Sequence, residues 1–322
     1  MLDPTSLFQW EPHVDQRTLR ADTLIVTLGS YVDAGHSQRL VDAQLLEHLP
    51  NRVIGRFDTD QVIDYAGRRP TIHFDRDHFA RYDKPEIKLH LLTDRDGKEF
   101  LLLNGPEPSL QWERMAEGVR HVIEQLDVQR THLVQSMPAP APHTRPVAVT
   151  RFASDPDLVA DEAPMLGTFQ LSASFTGLLT LRLGEAGHDV LGLVAHVPHY
   201  IAENDYPAAA AALLTTLRET ASLALPVEGF DLASGIVRAQ VDNQIAGSEE
   251  LTEMVAALER GYDHFVSERE VRNAETAQLP SADEIGEQFE QFLADLGATP
   301  ADEPDNPDAD QHTDDPDADQ VP

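Results

Sequence analysis

The chain of 322 residues contains no cysteine, and this absence excludes several kinds of chemistry at once. Without thiols there are no disulfide bonds, no thiolate metal sites and no cysteine nucleophile. The sequence also lacks an apolar run long enough to cross a membrane. Its first residues, Met1 to Thr5, show neither the positive region nor the apolar region of a secretory signal. We therefore expect a cytoplasmic protein that has no contact with membranes.

The sequence also contains few positively charged residues. Lys and Arg number 24 against 56 Asp and Glu, which gives a net charge of -32. No lysine or arginine follows Arg272, and about half of the net charge lies in the acidic stretch beyond it. A chain of this charge repels phosphate backbones, and no basic cluster or aromatic platform interrupts it to make a nucleic-acid groove. The composition therefore argues against a nucleic-acid-binding protein.

A buried strand followed by a glycine turn opens the fold. Thr23 to Leu28 is a nearly continuous apolar run rich in β-branched residues, which is typical of a strand buried on both faces. The turn runs from Gly29 to Gly35, and apolar residues from Leu40 to Leu49 then recur at helical spacing. Strand, turn and helix together predict an α/β protein.

Similar patterns predict the remaining elements. Further strands are expected at 52–57, 71–74, 87–92, 100–103, 131–134, 147–150 and 190–197. Helices are expected at 109–125, 207–225, 229–245 and 248–272, and 178–183 fits either a helix or a strand. The proline-rich run from Met137 to Pro142 predicts a stiff surface loop.

The C-terminal part predicts one more helix and then a tail. Ser281 and Glu284 form a capping-box pair, and four apolar residues then line one helix face: Ile285, Phe289, Phe292 and Leu296. This helix must be covered, either by its own chain, which is the simpler interpretation, or by a partner protein. Beyond Gly297 the residues are acidic and of low complexity, which predicts a disordered tail. We expect an α/β core over 1–227, a helical portion packed on it over 228–272, a linker and amphipathic helix over 273–297, and the tail over 298–322.

Several predicted strands end in polar or glycine-rich sequence, where open α/β sheets bind ligands. The glycines from Gly29 to Gly35 allow close approach to a ligand, although their spacing is not a dinucleotide fingerprint. We predict a rim that holds a small anionic or hydroxylated ligand. Its candidate residues are Gly29, Ser30, Tyr31, Asp33, Gly35, Arg68, Arg69, Asn104, Gly105, Glu107, Pro198, His199 and Tyr200. The alternative is that the turn is a tight strand-to-helix connection capped by Asp33 or Ser30.

Familiar catalytic and metal-binding patterns do not emerge from the sequence. His196 and His199 are three residues apart, but Pro198 prevents a regular helix from presenting both on one face. The run from His73 to His78 alternates charge and histidine, as solvated loops do. The hydroxyls from Ser172 to Thr176 fit helix capping, since no nucleophile-elbow sequence is present. We therefore predict no catalytic residues, no metal and no cofactor.

Five groups of short segments occur in a distinctive order along the chain. They are Gly29 to Gly35, Asp64-Tyr65 with Arg68-Arg69-Pro70, Asn104 to Pro108 with Trp112-Glu113, Val197 to Tyr200 with Tyr206-Pro207, and Leu258-Glu259 with Tyr262-Asp263. Together they span nearly the whole chain as far as Asp263. In their order and spread they resemble the bacterial, actinobacterial-type branch of the PAC2 (proteasome assembly chaperone) family.

This resemblance implies a three-layer α/β sandwich with a mixed, mainly parallel sheet, similar to the phosphorylase and hydrolase-like fold, with added C-terminal helices. It also implies a homo-oligomer. Archaeal and eukaryotic members act as chaperones for proteasome α-subunits, and several dock through a C-terminal tripeptide with tyrosine in its middle position. This chain ends in Gln320-Val321-Pro322, which departs from that tripeptide. The resemblance implies no reaction, and no phosphorylase catalytic residue maps onto this sequence.

Two functional hypotheses follow from the sequence. The first is a non-catalytic assembly chaperone or interaction protein, with proteasome subunits among its candidate partners. The second is a small-molecule binding protein or enzyme that takes a nucleoside or an anion at the predicted rim. A stable protein partner favours the first hypothesis, and a small ligand that raises the melting temperature favours the second.

Overall fold

The computed structural model of the chain describes residues 3–29, 33–160, 168 and 170–277. The strands are β1 Phe8–Trp10, β2 Thr23–Gly29, β3 Asn51–Phe57, β4 Ile72–Asp75, β5 His78–Tyr82, β6 Ile87–Thr93, β7 Glu99–Pro106, β8 Arg130–Ala139, β9 Val149–Ala153 and β10 Asp189–Pro198. The α-helices are α1 Ser37–His48, α2 Thr59–Val62, α3 Trp112–Leu126, α4 Phe175–Glu185, α5 Pro207–Ala221, α6 Phe230–Ile245 and α7 Glu249–Ala277. Short 3-10 turns cover Pro4–Leu7, Ala34–His36, Pro156–Val159 and His199–Ile201.

One sheet organises the described part of the chain. Eight strands lie in the order β1-β3-β6-β7-β2-β8-β10-β9. The central strands β7, β2, β8 and β10 are parallel, and every pair outside them is antiparallel. Five of the eight strands therefore point in one direction, which confirms the predicted mixed, mainly parallel sheet.

Alternating side chains of the central strands supply two hydrophobic cores. On β2, Leu24 and Val26 face the core that α3 and α4 cover. Ile25 faces the opposite core, which α1, α5 and α6 cover. Because successive strand residues point to opposite faces, a continuous apolar run is what a strand between two helical layers requires. The three layers confirm the predicted α/β class.

The proline-rich loop predicted from Met137 to Pro142 is wrong for its first half. Strand β8 continues to Ala139, and Pro138 pairs in register with Val197 of β10. The pairing of β8 with β2 ends at Leu133 and a single bridge joins Ser136 to Asp33, so beyond Ser136 the described part of the chain gives β8 a strand neighbour on one side only. A strand with one open side tolerates proline, since the missing N–H need not come from a ladder bond.

The segment from His73 to His78, predicted as a solvated loop, is solvent-exposed but belongs to a two-stranded hairpin, whose first strand corresponds to the strand predicted at 71–74. β4 and β5 pair with each other and form a separate small sheet. Arg76 adopts a positive φ of 53° in the turn between them. Every residue of the two strands except His73 is exposed. Strands β1 and β5 were not predicted, because each is short and β5 lacks a buried face.

The C-terminal helices extend the α5 side of the sheet. Phe230 and Val241 of α6 are buried in the core that α5 also lines. The predicted amphipathic segment with Ile285, Phe289, Phe292 and Leu296, and the acidic tail after it, lie outside the described residues. Among the described helices, none combines the length and the apolar character needed to span a membrane.

Candidate functional site

The glycine turn and the polar end of β7 lie side by side at the carboxyl edge of the sheet. Leu28 pairs with Gly105 and Gly29 pairs with Pro106, and Asp33 forms a bridge with Ser136 of β8. This edge therefore unites predicted rim residues from two strands and one turn: Gly29, Asp33, Gly35, Asn104 and Gly105. Ser30 and Tyr31, which belong to the same predicted rim, lie outside the described residues.

Asp33 is committed to the start of α1. Its carboxylate accepts hydrogen bonds from the backbone N–H of Gln38 at 2.9 Å and of Arg39 at 3.4 Å. The Ser136 hydroxyl donates a third bond at 3.2 Å. These contacts satisfy amides that a helix start leaves unpaired. Asp33 therefore forms the capped strand-to-helix connection that the sequence analysis gave as the alternative to a ligand-binding rim.

A polar cluster lies beneath α1, on the face of the sheet that this helix covers. It consists of Thr27, Gln38, Asp42, His90 and Asn104. The Thr27 hydroxyl donates to Asp42 Oδ1 at 2.6 Å, and Asn104 Nδ2 donates to Asp42 Oδ2 at 3.2 Å. Burial raises the pKa of Asp42 to about 7, a shift that the two hydrogen bonds oppose and the nearby Asp33 charge adds to. The Asp42 carboxyl therefore changes its charge near neutral pH.

Two members of the polar cluster are buried without hydrogen-bond partners for their side chains. Gln38 is 2% exposed and neither atom of its amide is bonded, and His90 is 6% exposed with both ring nitrogens unbonded. Burial, together with the Lys88 charge, lowers the pKa of His90, which the neighbouring Asn104 amide opposes in part. Buried polar groups are nearly always satisfied, so the Gln38 amide and the His90 ring, beside which Asn104 lies, are exceptions in the described part of the chain.

Sequence reasoning missed four of the five members of the polar cluster and found only Asn104. One signal was available: Gln38 and Asp42 are one helical turn apart and flank the apolar Val41 of the buried helix face. Polar residues on an otherwise buried helix face indicate a specific partner inside the protein. The strand partners, Thr27 and His90, carry no comparable local signal.

Glu107 and Arg68 of the predicted rim hold backbone groups of their own chain. The buried Glu107 carboxylate accepts a hydrogen bond from the backbone N–H of Phe175 at 2.7 Å, at the first turn of α4. The guanidinium of Arg68 donates to the carbonyl oxygen of Glu107 at 3.1 Å. Arg69 is exposed and forms no ion pair within the described part of the chain. The N-terminus of α4 is also capped by Ser174, whose hydroxyl accepts from Gly177, as the sequence predicted.

Pro198, His199 and Tyr200 lie at the end of β10 and lead into a separate buried network. The Tyr200 hydroxyl accepts from the backbone N–H of His143 at 2.9 Å and lies 2.7 Å from its ring Nδ1. The other ring nitrogen of His143 lies 2.9 Å from the Asp242 carboxylate of α6. Burial raises the pKa of Tyr200. The network links β10, the segment between β8 and β9, and α6.

The Glu259 and Asp263 positions, which carried part of the family resemblance, fasten α7. Arg145 donates to both carboxylate oxygens of Asp263, at 2.8 and 2.9 Å, and to Glu259 at 3.1 Å. A bidentate guanidinium–carboxylate pair fixes direction as well as distance. In the described residues, no three His, Asp or Glu side chains converge in a way that could hold a metal ion.

The β4–β5 hairpin presents four large apolar side chains that are exposed in the described chain. Phe74 pairs with Phe79 across the hairpin and Ile72 pairs with Tyr82, so these four side chains share one face. We call this face the ridge. The side chains are 52%, 60%, 69% and 48% exposed for Ile72, Phe74, Phe79 and Tyr82. Exposed apolar faces of this kind mark interaction surfaces in soluble proteins.

Comparisons with known proteins identify relatives. The PAC2 family model matches residues 27–245. A Mycobacterium tuberculosis protein of unknown function is 38% identical, with a TM-score of 0.76 over 84% of this chain and 97% of that chain. A Corynebacterium glutamicum protein of unknown function is 33% identical, with a TM-score of 0.74 over 80% of this chain and 97% of that chain. No curated protein sequence matches the chain.

A further structure shares the fold at lower identity. The Mycobacterium tuberculosis proteasome-assembly chaperone homologue is 22% identical, with a TM-score of 0.66 over 72% of this chain and 99% of that chain. At that identity the likeness concerns the fold. The family model, in contrast, covers more than half of the sequence, including β2 to β10 almost completely. The chain therefore belongs to the PAC2 family.

Proposed function

We propose that this protein is a non-catalytic interaction protein of the assembly-chaperone kind, which works by binding protein and not by transforming a small molecule. The observation that carries the proposal is the ridge of the hairpin, where aromatic side chains remain uncovered by the described part of the chain. Membership of the PAC2 family supports it, since a protein of the same fold is described as a proteasome-assembly chaperone homologue. Proteasome subunits are accordingly the first partners to test.

Affinity capture from a lysate of the source organism tests this function. The full chain is compared with the double variant Phe74→Ser/Phe79→Ser and with a chain that stops at Arg272. Enrichment of proteasome subunits by the full chain, with loss in the double variant, is the expected result. Leu232→Ser is the matched control, because Leu232 is an exposed apolar residue on α6, away from the ridge. Equal capture by full chain and double variant would remove the ridge as the binding surface.

The polar cluster favours a second candidate function, the binding of a small hydroxylated or amide-bearing ligand. Its support is that the amide of Gln38 and the ring of His90 have no hydrogen-bond partner in the described residues, although both side chains are buried. A panel of nucleosides, nucleotides and phosphate is tested for a rise in melting temperature of several degrees. Gln38→Leu should abolish such a rise, whereas Asp96→Asn, at an exposed position between β6 and β7, should leave it unchanged. No shift with any compound would remove this candidate.

A further inference from the structure

The small sheet of the hairpin has fewer strands than a stable sheet needs. Among the described residues β4 and β5 pair only with each other, and eight of their nine residues are exposed. A two-stranded hairpin is marginally stable in water, and a third strand over a hydrophobic face is one way in which such a sheet becomes stable. The ridge is a hydrophobic face with on the order of 400 Å² of exposed apolar surface, a size at which surface patches are often functional.

The two edges of the hairpin differ in regularity. On β4 the neighbours His73 and Phe74 pair with Arg81 and Phe79 of β5. Ala80 lies between these two partners and has none of its own, which makes it a bulge on β5. Bulged edges resist pairing with a further strand, whereas β4 is regular and no strand of the described chain pairs with its outer edge. An extended segment from another protein therefore fits beside β4, by the strand addition with which many sheets bind peptides.

The free charge of the hairpin is positive. Residues 68–84 carry five Lys and Arg against three Asp. Arg69 and Lys84 are exposed and form no ion pair within the described residues. The carboxylates of the hairpin and of the residues that follow it each lie within ion-pair distance of a cation or a histidine: Asp75 with Arg76, Asp77 with His78, Asp83 with Arg81, and Glu86 with Arg56 and Lys88.

The two free cations lie at one end of the ridge. The backbone N–H of Asp83 donates to the carbonyl oxygen of Thr71 at 2.9 Å, so the beginning and the end of the hairpin are adjacent. Arg69 precedes Thr71 by two residues, and Lys84 follows Asp83 directly. Charges within one Debye length, about 8 Å at physiological ionic strength, dominate over the negative charge on the rest of the chain. A bound segment is therefore favoured when its end at this base carries carboxylates.

We propose that the hairpin binds an extended segment of another protein with an acidic end, which pairs with the outer edge of β4 as a third strand. The inference rests on the proposed function, because it specifies the kind of segment by which a partner contacts the ridge. Alternate side chains of the added strand lie beside Ile72 and Phe74 on the ridge face, so they are apolar. Its carboxylates lie next to Arg69 and Lys84. Nucleic acid is disfavoured, because a net charge of -32 repels long phosphate backbones.

A synthetic peptide tests the strand addition on the full chain. The probe is fluorescein-labelled and alternates phenylalanine or valine with threonine, with two glutamates at one end. Fluorescence polarisation should give a Kd in the micromolar range. Methyl groups on one alternate set of its backbone nitrogens should abolish binding, and methyl groups on the other set should not, since every second residue of an edge strand bonds to its neighbour. Equal binding of the two methylated peptides would contradict the third strand.

Charge selection is tested by changes on both sides of the contact. Glutamines in place of the two glutamates of the peptide, or Arg69→Glu in the protein, should each weaken binding by about tenfold at low salt, and the effect should fade at high salt. Arg17→Glu is the matched control, because Arg17 is an exposed arginine in the segment before β2. The melting temperature of each variant shows that it folds. Equal binding of the glutamate and glutamine peptides would overturn the acidic end.

Other occupants of the ridge give distinct results, and each of them overturns the proposal. Hydrogen exchange of the hairpin amides in the full chain should be fast without the peptide and slow with it. Slow exchange without the peptide would mean that the chain covers its own hairpin if sedimentation shows a monomer, or that a second copy covers it if sedimentation shows a dimer. Tighter binding of an oligothymidine than of the peptide would identify a nucleic acid as the ligand.

The same measurements separate this inference from the proposed function. If the peptide does not bind but Phe74→Ser/Phe79→Ser still loses captured proteasome subunits, the strand addition is wrong and the proposed function stands. If the peptide binds as expected but the full chain captures no protein that the double variant loses, the proposed function fails and the peptide site stands.

Discussion

The Asp42 carboxyl is a titrating group inside a largely apolar layer, so it couples folding to pH. Its pKa rises to about 7 in the folded chain from an ordinary value of 3.8. Between these two values the folded chain holds a proton that the unfolded chain has released. The contribution of Asp42 to the free energy of unfolding is therefore greatest below about pH 4. It falls as the pH rises from about 4 to 7 and does not change further above that range.

Asp42→Asn should remove this pH dependence. The amide resembles the protonated carboxyl, since both offer a donor and an acceptor to Thr27 and Asn104. We expect the variant to exceed the natural chain in stability above pH 7 by roughly 2–4 kcal/mol. Urea unfolding at pH 5.5 and at pH 8.5 measures the difference, with the exposed Asp96→Asn as control. If the free energy of unfolding changed equally between the two pH values in Asp42→Asn and in Asp96→Asn, Asp42 would have an ordinary pKa in the folded chain.

Gly35 occupies a position that other residues cannot take without strain. Its φ is 66°, and a Cβ at this position would lie 2.8 Å from the Cβ of Tyr206. Gly35→Ala should destabilise the protein by roughly 2–4 kcal/mol through backbone strain and collision. Gly187→Ala is the matched control, because its φ is 81° and no atom lies within 4 Å of the added Cβ. Thermal unfolding should show a larger decrease in melting temperature for Gly35→Ala than for Gly187→Ala. Equal decreases would contradict the predicted collision.

At the residue scale, sequence reasoning succeeds where partners are near in sequence. Asp33 caps amides five and six residues ahead, and Ser174 caps an amide three residues ahead, so both roles are readable from local pattern. The polar cluster draws its members from α1, β2, β6 and β7. These residues are brought together by the order of the strands in the sheet, which cannot be deduced from local sequence patterns. For the same reason the buried His90 was not predicted.

At the scale of elements, apolar runs predicted the central strands correctly. A strand that is buried on both faces of the sheet must consist almost entirely of apolar residues, so its sequence is easily recognised. The hairpin lacks that constraint, since its ridge is covered by no part of the described chain. Its sequence therefore resembles a solvated loop. The extension of β8 through Pro138 was also unpredictable from propensity, because it depends on one side of the strand being open.

The hairpin should be dispensable for folding. The backbone N–H of Asp83 donates to the carbonyl oxygen of Thr71 at 2.9 Å, so the two ends of the hairpin are adjacent. Replacement of residues 72–82 by a short glycine linker should leave the melting temperature within about 3 °C of the natural value. Capture of proteasome subunits should be lost. A chain that fails to fold after this replacement would show that the hairpin supports the body of the protein.

At the scale of the whole molecule, charge is unevenly distributed along the sequence. Nine acidic residues and no basic ones follow Gly297. A chain that stops at Gly297 should unfold at a temperature within about 2 °C of the full chain, since a segment of this acidic composition cannot build an apolar core. Differential scanning calorimetry of the two chains makes the comparison. A large drop in the unfolding temperature would mean that the acidic residues bind the folded body.

The segment between β8 and β9, residues 140–148, holds both C-terminal helices. His143 bonds to Asp242 of α6, and Arg145 bonds to Asp263 and Glu259 of α7. Because one short segment carries a polar attachment to each helix, a force or a ligand that shifts it weakens the polar contacts of the two helices together. Their backbone amides should then exchange hydrogen in concert, as a single opening unit that separates from the sheet while the sheet remains closed.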